Sequence, residues 1–154
     1  MMNKIANFID GNAVVSQANE WIDVTNPANN DLLGMVPLTP TDEIQDAIEQ
    51  ALNAQMHWKE VAISERARLM LRYQHLLKER HDEIATLLSK ETGKTLADAK
   101  GDVWRGIEVV EQAANIASNM MGETAENVAT DIDSYSLIQP SVCAVASLHS
   151  TFLR

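Results

Sequence analysis

One cysteine stands among 154 residues. Cys143 has no second cysteine to pair with, so no internal disulfide staples the fold, and a reducing compartment suits such a chain. Basic residues are also scarce: 12 Lys and Arg face 22 Asp and Glu, a net charge of −10. No basic cluster is available to displace counterions from phosphates, which argues against nucleic acid as a partner. Long apolar runs are missing too, and no segment reads as a bilayer span. The opening MMNKIANFIDG carries one lysine and no apolar stretch, so it does not read as a secretory leader. There is no internal repeat, low-complexity tract or flexible linker. These absences leave an acidic, cytoplasmic protein with enough length for one domain and its core.

What is present falls into three zones. Residues 1–38 read as β-ribbon: Asp10-Gly11 is a hairpin turn after NFI, and WIDV and LLGMV are short strands around the turn material TNPANND. Residues 39–122 read as helices. Thr39 is the expected cap of the first, with Pro40 in its first position, and Ile44, Ile48, Ala51, Gln55 and Trp58 follow helical spacing. Ser64 is expected to start the second, with Ala67, Met70, Leu71, Tyr73 and Leu77 as apolar positions. Ile84, Leu87 and Leu88 form a short third face, which Gly93 ends as a left-handed residue. Thr95, with Asp98 three residues on, caps the fourth. Its stripe runs Ala99, Val103, Ile107, Val110, Ala114, Ala117, Met121, and the weakening residues Gly101 and Gly106 are expected to admit a close neighbour. Residues 123–154 return to strand character, with SYSLI and VCAVASL as candidates.

Chemistry is harder to find. The stretch KETGKTLADAKGDVWRG contains Gly-Lys-Thr, the end of a nucleotide phosphate loop. That loop needs a glycine where Leu88 stands, and a strand where HDEIATLLSKE reads as helix. His57, His75, His81 and His149 lack metal-ligand spacing, and no metal site is expected. Cys143 lies in an apolar run and reads as packing rather than as a nucleophile. Gly-x-Ser-x-Gly and Gly-x-Gly-x-x-Gly are missing. Asp131 and Asp133 read as a solvated strand face. Arg105 points away from the stripe of the fourth helix, three residues from both Asp102 and Glu108. It reads either as a surface ion pair, the plainer reading, or as a guanidinium fork held for a carboxylate ligand.

The same stretch resembles the aldehyde dehydrogenase superfamily. Glu91-Thr92-Gly93-Lys94 is similar to that family's Glu-x-Gly-Lys segment. Upstream, the Ile9-Asp10-Gly11 turn, Asn26-Pro27-Ala28, a helix ending near Trp58 and the helix SERARLMLRYQHLL follow in the family's order. Gly101-Asp102-Val103-Trp104-Arg105-Gly106 and Met120-Met121-Gly122-Glu123 resemble the methylmalonate-semialdehyde dehydrogenase subfamily, over residues 5–140 in all. The resemblance implies an α/β fold, of which this chain holds a mostly helical N-terminal part with a β-ribbon first and one or two strands last. It implies an oxidation of malonate or methylmalonate semialdehyde in which NAD takes the hydride and CoA the acyl group, with loss of carbon dioxide. It also assigns Arg105 to the substrate carboxylate.

The resemblance stops near Pro140. The family continues with a glycine-bearing strand and Phe-Asn-Phe-Pro, whereas this chain reads PSVCAVASLHSTFLR. The family's catalytic cysteine, glutamate, oxyanion asparagine and cofactor phosphate site lie downstream, and Cys143 does not match the nucleophile's motif. The expectation is an N-terminal part without catalytic or cofactor-binding residues of its own, binding neither NAD nor CoA, inactive alone and prone to self-association. A non-catalytic helical assembly module is the alternative.

Overall fold

The computed structural model describes residues 3–139; Pro140, Ser141, Cys143, His149 and the strand expected over residues 142–148 lie outside them. The chain opens with a hairpin of β1 (Asn7–Ile9) and β2 (Asn12–Val14). Asp10 and Gly11 turn it with φ of 49° and 74°, the paired left-handed residues of a type I′ turn. A second hairpin joins β3 (Trp21–Thr25) to β4 (Leu32–Pro37), pairing Trp21 with Pro37 and Ile22 with Val36. The intervening turn is built by Asn26, whose Oδ1 accepts the Ala28 N–H at 2.9 Å while its carbonyl accepts from Asn30 at 2.7 Å. Both ribbons stand where the turn residues and β-rich runs place them.

Four helices follow: α1 (Thr41–Trp58), α2 (Ile63–Glu79), α3 (His81–Thr92) and α4 (Leu96–Ala114). The expected cap of α1 is displaced by one residue. Pro40 occupies the cap position without a side-chain bond, and the Thr39 hydroxyl instead accepts from the Asn7 side chain at 3.1 Å. The start of α2 shifts likewise, since Ala62 is its cap and Ser64 lies inside the first turn. At α4 the expectation holds: Thr95 Oγ1 accepts from Asp98 N–H at 3.2 Å. The reciprocal half differs from a full capping box, because the Asp98 carboxylate accepts from the Thr95 hydroxyl at 2.9 Å, not from its backbone.

Among the described residues the core lies where α2 and α3 meet α4: Ala85, Ala99, Ile107 and Ala114 are buried. Alanine on both α3 and α4 lets the two backbones approach closely. Ala85 was not among the expected core positions, whereas Leu71, Tyr73 and Leu87, which were, turn outward. The stripe of α4 also ends early. The helix stops at Ala114, a 3₁₀ turn covers Ile116–Met120, and Ala117 and Met121 are exposed.

The last described element is a third hairpin, β5 (Thr124–Ala129) with β6 (Ile132–Tyr135), exposed along its whole length. SYSLI was expected to be a strand, but only its first two residues fall in β6, and the Thr-Ala-Glu-Asn-Val-Ala strand had no apolar alternation to reveal it. Asp133 is not merely solvated, because it accepts the Asn127 N–H at 2.9 Å across a bulge, and Asp131 sits in the turn with φ of 61°.

Candidate functional site

Two residues of the Gly-Lys to Trp-Arg-Gly stretch, Lys94 and Arg105, converge on one carboxylate, that of Asp102. Gly93 ends α3 with φ of 70°, and its N–H donates to the Ser89 carbonyl at 2.9 Å. A Cβ there would meet Pro27 Cγ at 2.9 Å and the Ala28 nitrogen at 3.2 Å, so the Asn-Pro-Ala turn is packed against this glycine. The next residue, Lys94, is held by its carbonyl, which accepts from the Ser89 hydroxyl at 2.7 Å. Its ammonium reaches the second turn of α4 and donates to Asp102 Oδ2 at 2.5 Å. Arg105, one turn further, donates from Nη1 to the other oxygen, Oδ1, at 3.0 Å.

Asp102 is thus bridged by two cations, one per oxygen. Its side chain is 24% exposed and that of Lys94 23%, whereas Arg105 is 67% exposed. The Lys94 hydrogen bond, and secondarily the charges of Lys94 and Arg105, hold the Asp102 carboxyl below its usual range in spite of partial desolvation. Asp102 therefore stays ionised at neutral pH. Arg105 presents its guanidinium at the surface and gives Asp102 one hydrogen bond, the i,i+3 ion pair of the plainer reading.

The geometry removes the phosphate-loop reading. The Lys94 ammonium is committed to Asp102, the Thr95 hydroxyl to Asp98, and the Gly93 N–H to Ser89. These residues do not fit a dinucleotide or CoA phosphate. Among the described residues no group of three His, Cys, Asp or Glu is placed to hold a metal ion. The sequence gives no sign of the Lys94–Asp102 pair. It spans a cap, from the loop to a residue eight positions on, and helical spacing rules do not signal that contact. Gly101 and Gly106 were expected to admit a close neighbour, but among the described residues a Cβ on either meets nothing within 4 Å.

A second cluster fastens the same helix. Glu111 Oε1 accepts from Lys78 at 2.9 Å and from Gln74 at 2.6 Å, tying α2 to α4. Asp82 pairs with Lys100 at 2.9 Å, and the His81 ring lies 3.0 Å from the Lys100 carbonyl, tying α3 to α4. Trp104 stands between them, edge-on to His81 and 5.4 Å beneath the Lys78 ammonium. Hydrogen bonds from Lys100 and His81 depress Asp82, and those from Lys78 and Gln74 depress Glu111.

A glycine-terminated helix packed against an Asn-Pro-Ala turn, followed by a capped helix bearing this cluster, is not the phosphate loop of a nucleotide hydrolase. The chain belongs to the aldehyde dehydrogenase family, whose sequence model matches residues 14–148. It is 46% identical over 138 residues to the human mitochondrial methylmalonate-semialdehyde/malonate-semialdehyde dehydrogenase [acylating], covering 89% of this chain and 26% of that protein. The structure is similar to methylmalonate-semialdehyde dehydrogenase from Oceanimonas doudoroffii, with TM-score 0.85 and 36% identity over 90% of this chain and 28% of that one. It is equally similar, again with TM-score 0.85 and 36% identity, to a protein from Sinorhizobium meliloti 1021 described under the same enzyme name and solved with NAD, over 89% of this chain and 28% of that one. The chain therefore spans about a quarter of the length of the relatives it matches.

Proposed function

We propose that this chain is the N-terminal part of an NAD- and CoA-dependent, acylating (methyl)malonate-semialdehyde dehydrogenase, and that alone it does not turn over substrate. The observation that carries the proposal is coverage. The likeness extends over 90% of this chain but 28% of the Oceanimonas enzyme. Thiol attack on an aldehyde requires an activated thiolate and an oxyanion donor, and no residue of this chain matches the family motifs for either.

In the assembled site Arg105 holds the carboxylate that a dicarboxylic semialdehyde retains at its far end. Fixing that end orients the aldehyde toward the nucleophile, which is how remote binding energy lowers a chemical barrier. NAD and CoA, when bound to the complete enzyme, supply the hydride acceptor and the acyl acceptor. The residues described here support the substrate end only.

The test uses NADH formation from malonate semialdehyde with CoA. This chain alone is expected to match a no-enzyme blank. A chimera joining residues 1–139 to the remaining three quarters of the Oceanimonas enzyme is expected to be active. Turnover by the isolated chain, or a folded but inactive chimera, overturns the proposal. A second reading, a helical assembly module, draws on one observation: Ile44, Ile48, Leu52 and Trp58 form an exposed stripe on α1, which has no buried residue.

A further inference from the structure

We infer that Asp102 and Lys94 are positioning residues for Arg105, forming a clamp that aims its guanidinium at the substrate carboxylate. The inference rests on the reading of Arg105 as the carboxylate-holding residue and adds what orients it. An exposed arginine on a helix carries several freely rotating bonds, and ordering them at each binding event costs affinity. An i,i+3 pair at the surface seldom provides that order by itself.

Here the partner is itself anchored. Asp102 receives Lys94 on one oxygen and Arg105 on the other, at 2.5 and 3.0 Å. Lys94 is restrained in turn, because its neighbour Gly93 is packed against Pro27 and Ala28 and its own carbonyl accepts from Ser89. Only about a quarter of the Lys94 and Asp102 side chains remains exposed, so solvent competes weakly for that bond. The sequence from the Asn-Pro-Ala turn through Gly93, Lys94 and Asp102 to Arg105 is therefore a continuous mechanical support. It runs from the β-ribbon to the guanidinium. This also gives a task to the Gly-Lys pair that no phosphate contact provides.

Two measurements test the clamp. In the 154-residue chain, the side-chain Nε–Hε order parameter of Arg105 is read by NMR against that of Arg72, an exposed arginine on α2. Arg105 is expected to be more ordered than Arg72, to lose order in Asp102→Asn, and to keep its order in Asp102→Glu. Equal mobility of the two arginines in the wild-type chain, or unchanged order in Asp102→Asn, overturns the clamp. In the chimera, the readout is the ratio of kcat/KM for malonate semialdehyde to that for propanal, which has no carboxylate. Asp102→Asn is expected to lower this ratio about tenfold and Lys94→Met by less, with Asp102→Glu restoring most of it. A merely structural role lowers both activities alike and leaves the ratio in place. Arg105→Met separates the two levels. If it leaves the ratio unchanged, the carboxylate reading fails. If it lowers the ratio while Asp102→Asn does not, that reading stands and the clamp is wrong.

Discussion

Gly93 and the pair Gly101 and Gly106 are the same residue type under opposite constraints. At Gly93 the left-handed φ of 70° coincides with a neighbour 2.9 Å from where a Cβ would lie. Gly93→Ala must relieve both, and is expected to destabilise the chain by about 2 kcal/mol or more, read as a lower midpoint in urea. Gly101 and Gly106 are helical, and among the described residues nothing lies within 4 Å of an added Cβ at either, so alanine there mainly removes backbone freedom from the unfolded chain. Each substitution is expected to stabilise by up to about 1 kcal/mol, raising Tm by a few degrees. An unchanged or lower Tm would mean that something approaches these glycines after all. Gly122 resembles Gly93 in packing alone, for an added Cβ would run into the Ser136 carbonyl oxygen. Residue types with a stereochemical signature were legible in the sequence: the Asp10-Gly11 turn, Gly93 as a helix stop, Thr95 as a cap. Lys94 was not, because an ion pair between a loop and the second turn of a helix has no characteristic spacing.

Among elements, α4 is the one to which α2 and α3 are fastened, and the fasteners are acid-labile. Asp82, Asp102 and Glu111 all titrate below their ordinary values of 3.8, 3.8 and 4.5 in the folded chain, because each accepts hydrogen bonds from cationic or amide donors. A depressed folded pKa contributes stability that is present above the unfolded value and is lost as pH falls through the folded one. The helical region is therefore expected to keep its thermal stability down to about pH 5 and to lose it progressively below pH 4.5. Glu111→Gln and Asp82→Asn, which cannot titrate, are expected to be less stable at pH 7 but to show a shallower loss on acidification. A pH dependence identical to that of the wild-type chain would show that these bonds contribute nothing. Helix existence was readable from periodicity, because burying one face demands it. Which apolar residues end up inside was less so: Leu71, Tyr73 and Leu87 keep the right spacing yet face outward, while the small Ala85 occupies the contact with α4. β6 is legible in part through SYSLI, whereas its partner β5 is not, since strands exposed on both faces need no alternation.

At the scale of the whole molecule, the described residues expose an apolar stripe on α1 and the β5–β6 hairpin, with Val128, Ile132 and Tyr135 all more than half exposed. Contiguous apolar surface and open strand edges favour association. Sedimentation velocity is expected to show concentration-dependent oligomers, and Ile48→Lys with Leu52→Glu on α1 to shift them toward smaller species. A compact monomer at every concentration would contradict this picture.

On the proposed function, these surfaces are faces that the rest of a dehydrogenase covers. The most direct measurement is NADH formation from malonate semialdehyde and CoA, run on the 154-residue chain and on the chimera with the Oceanimonas enzyme side by side. The account predicts a blank rate for the chain and turnover for the chimera. Turnover by the chain alone would contradict it.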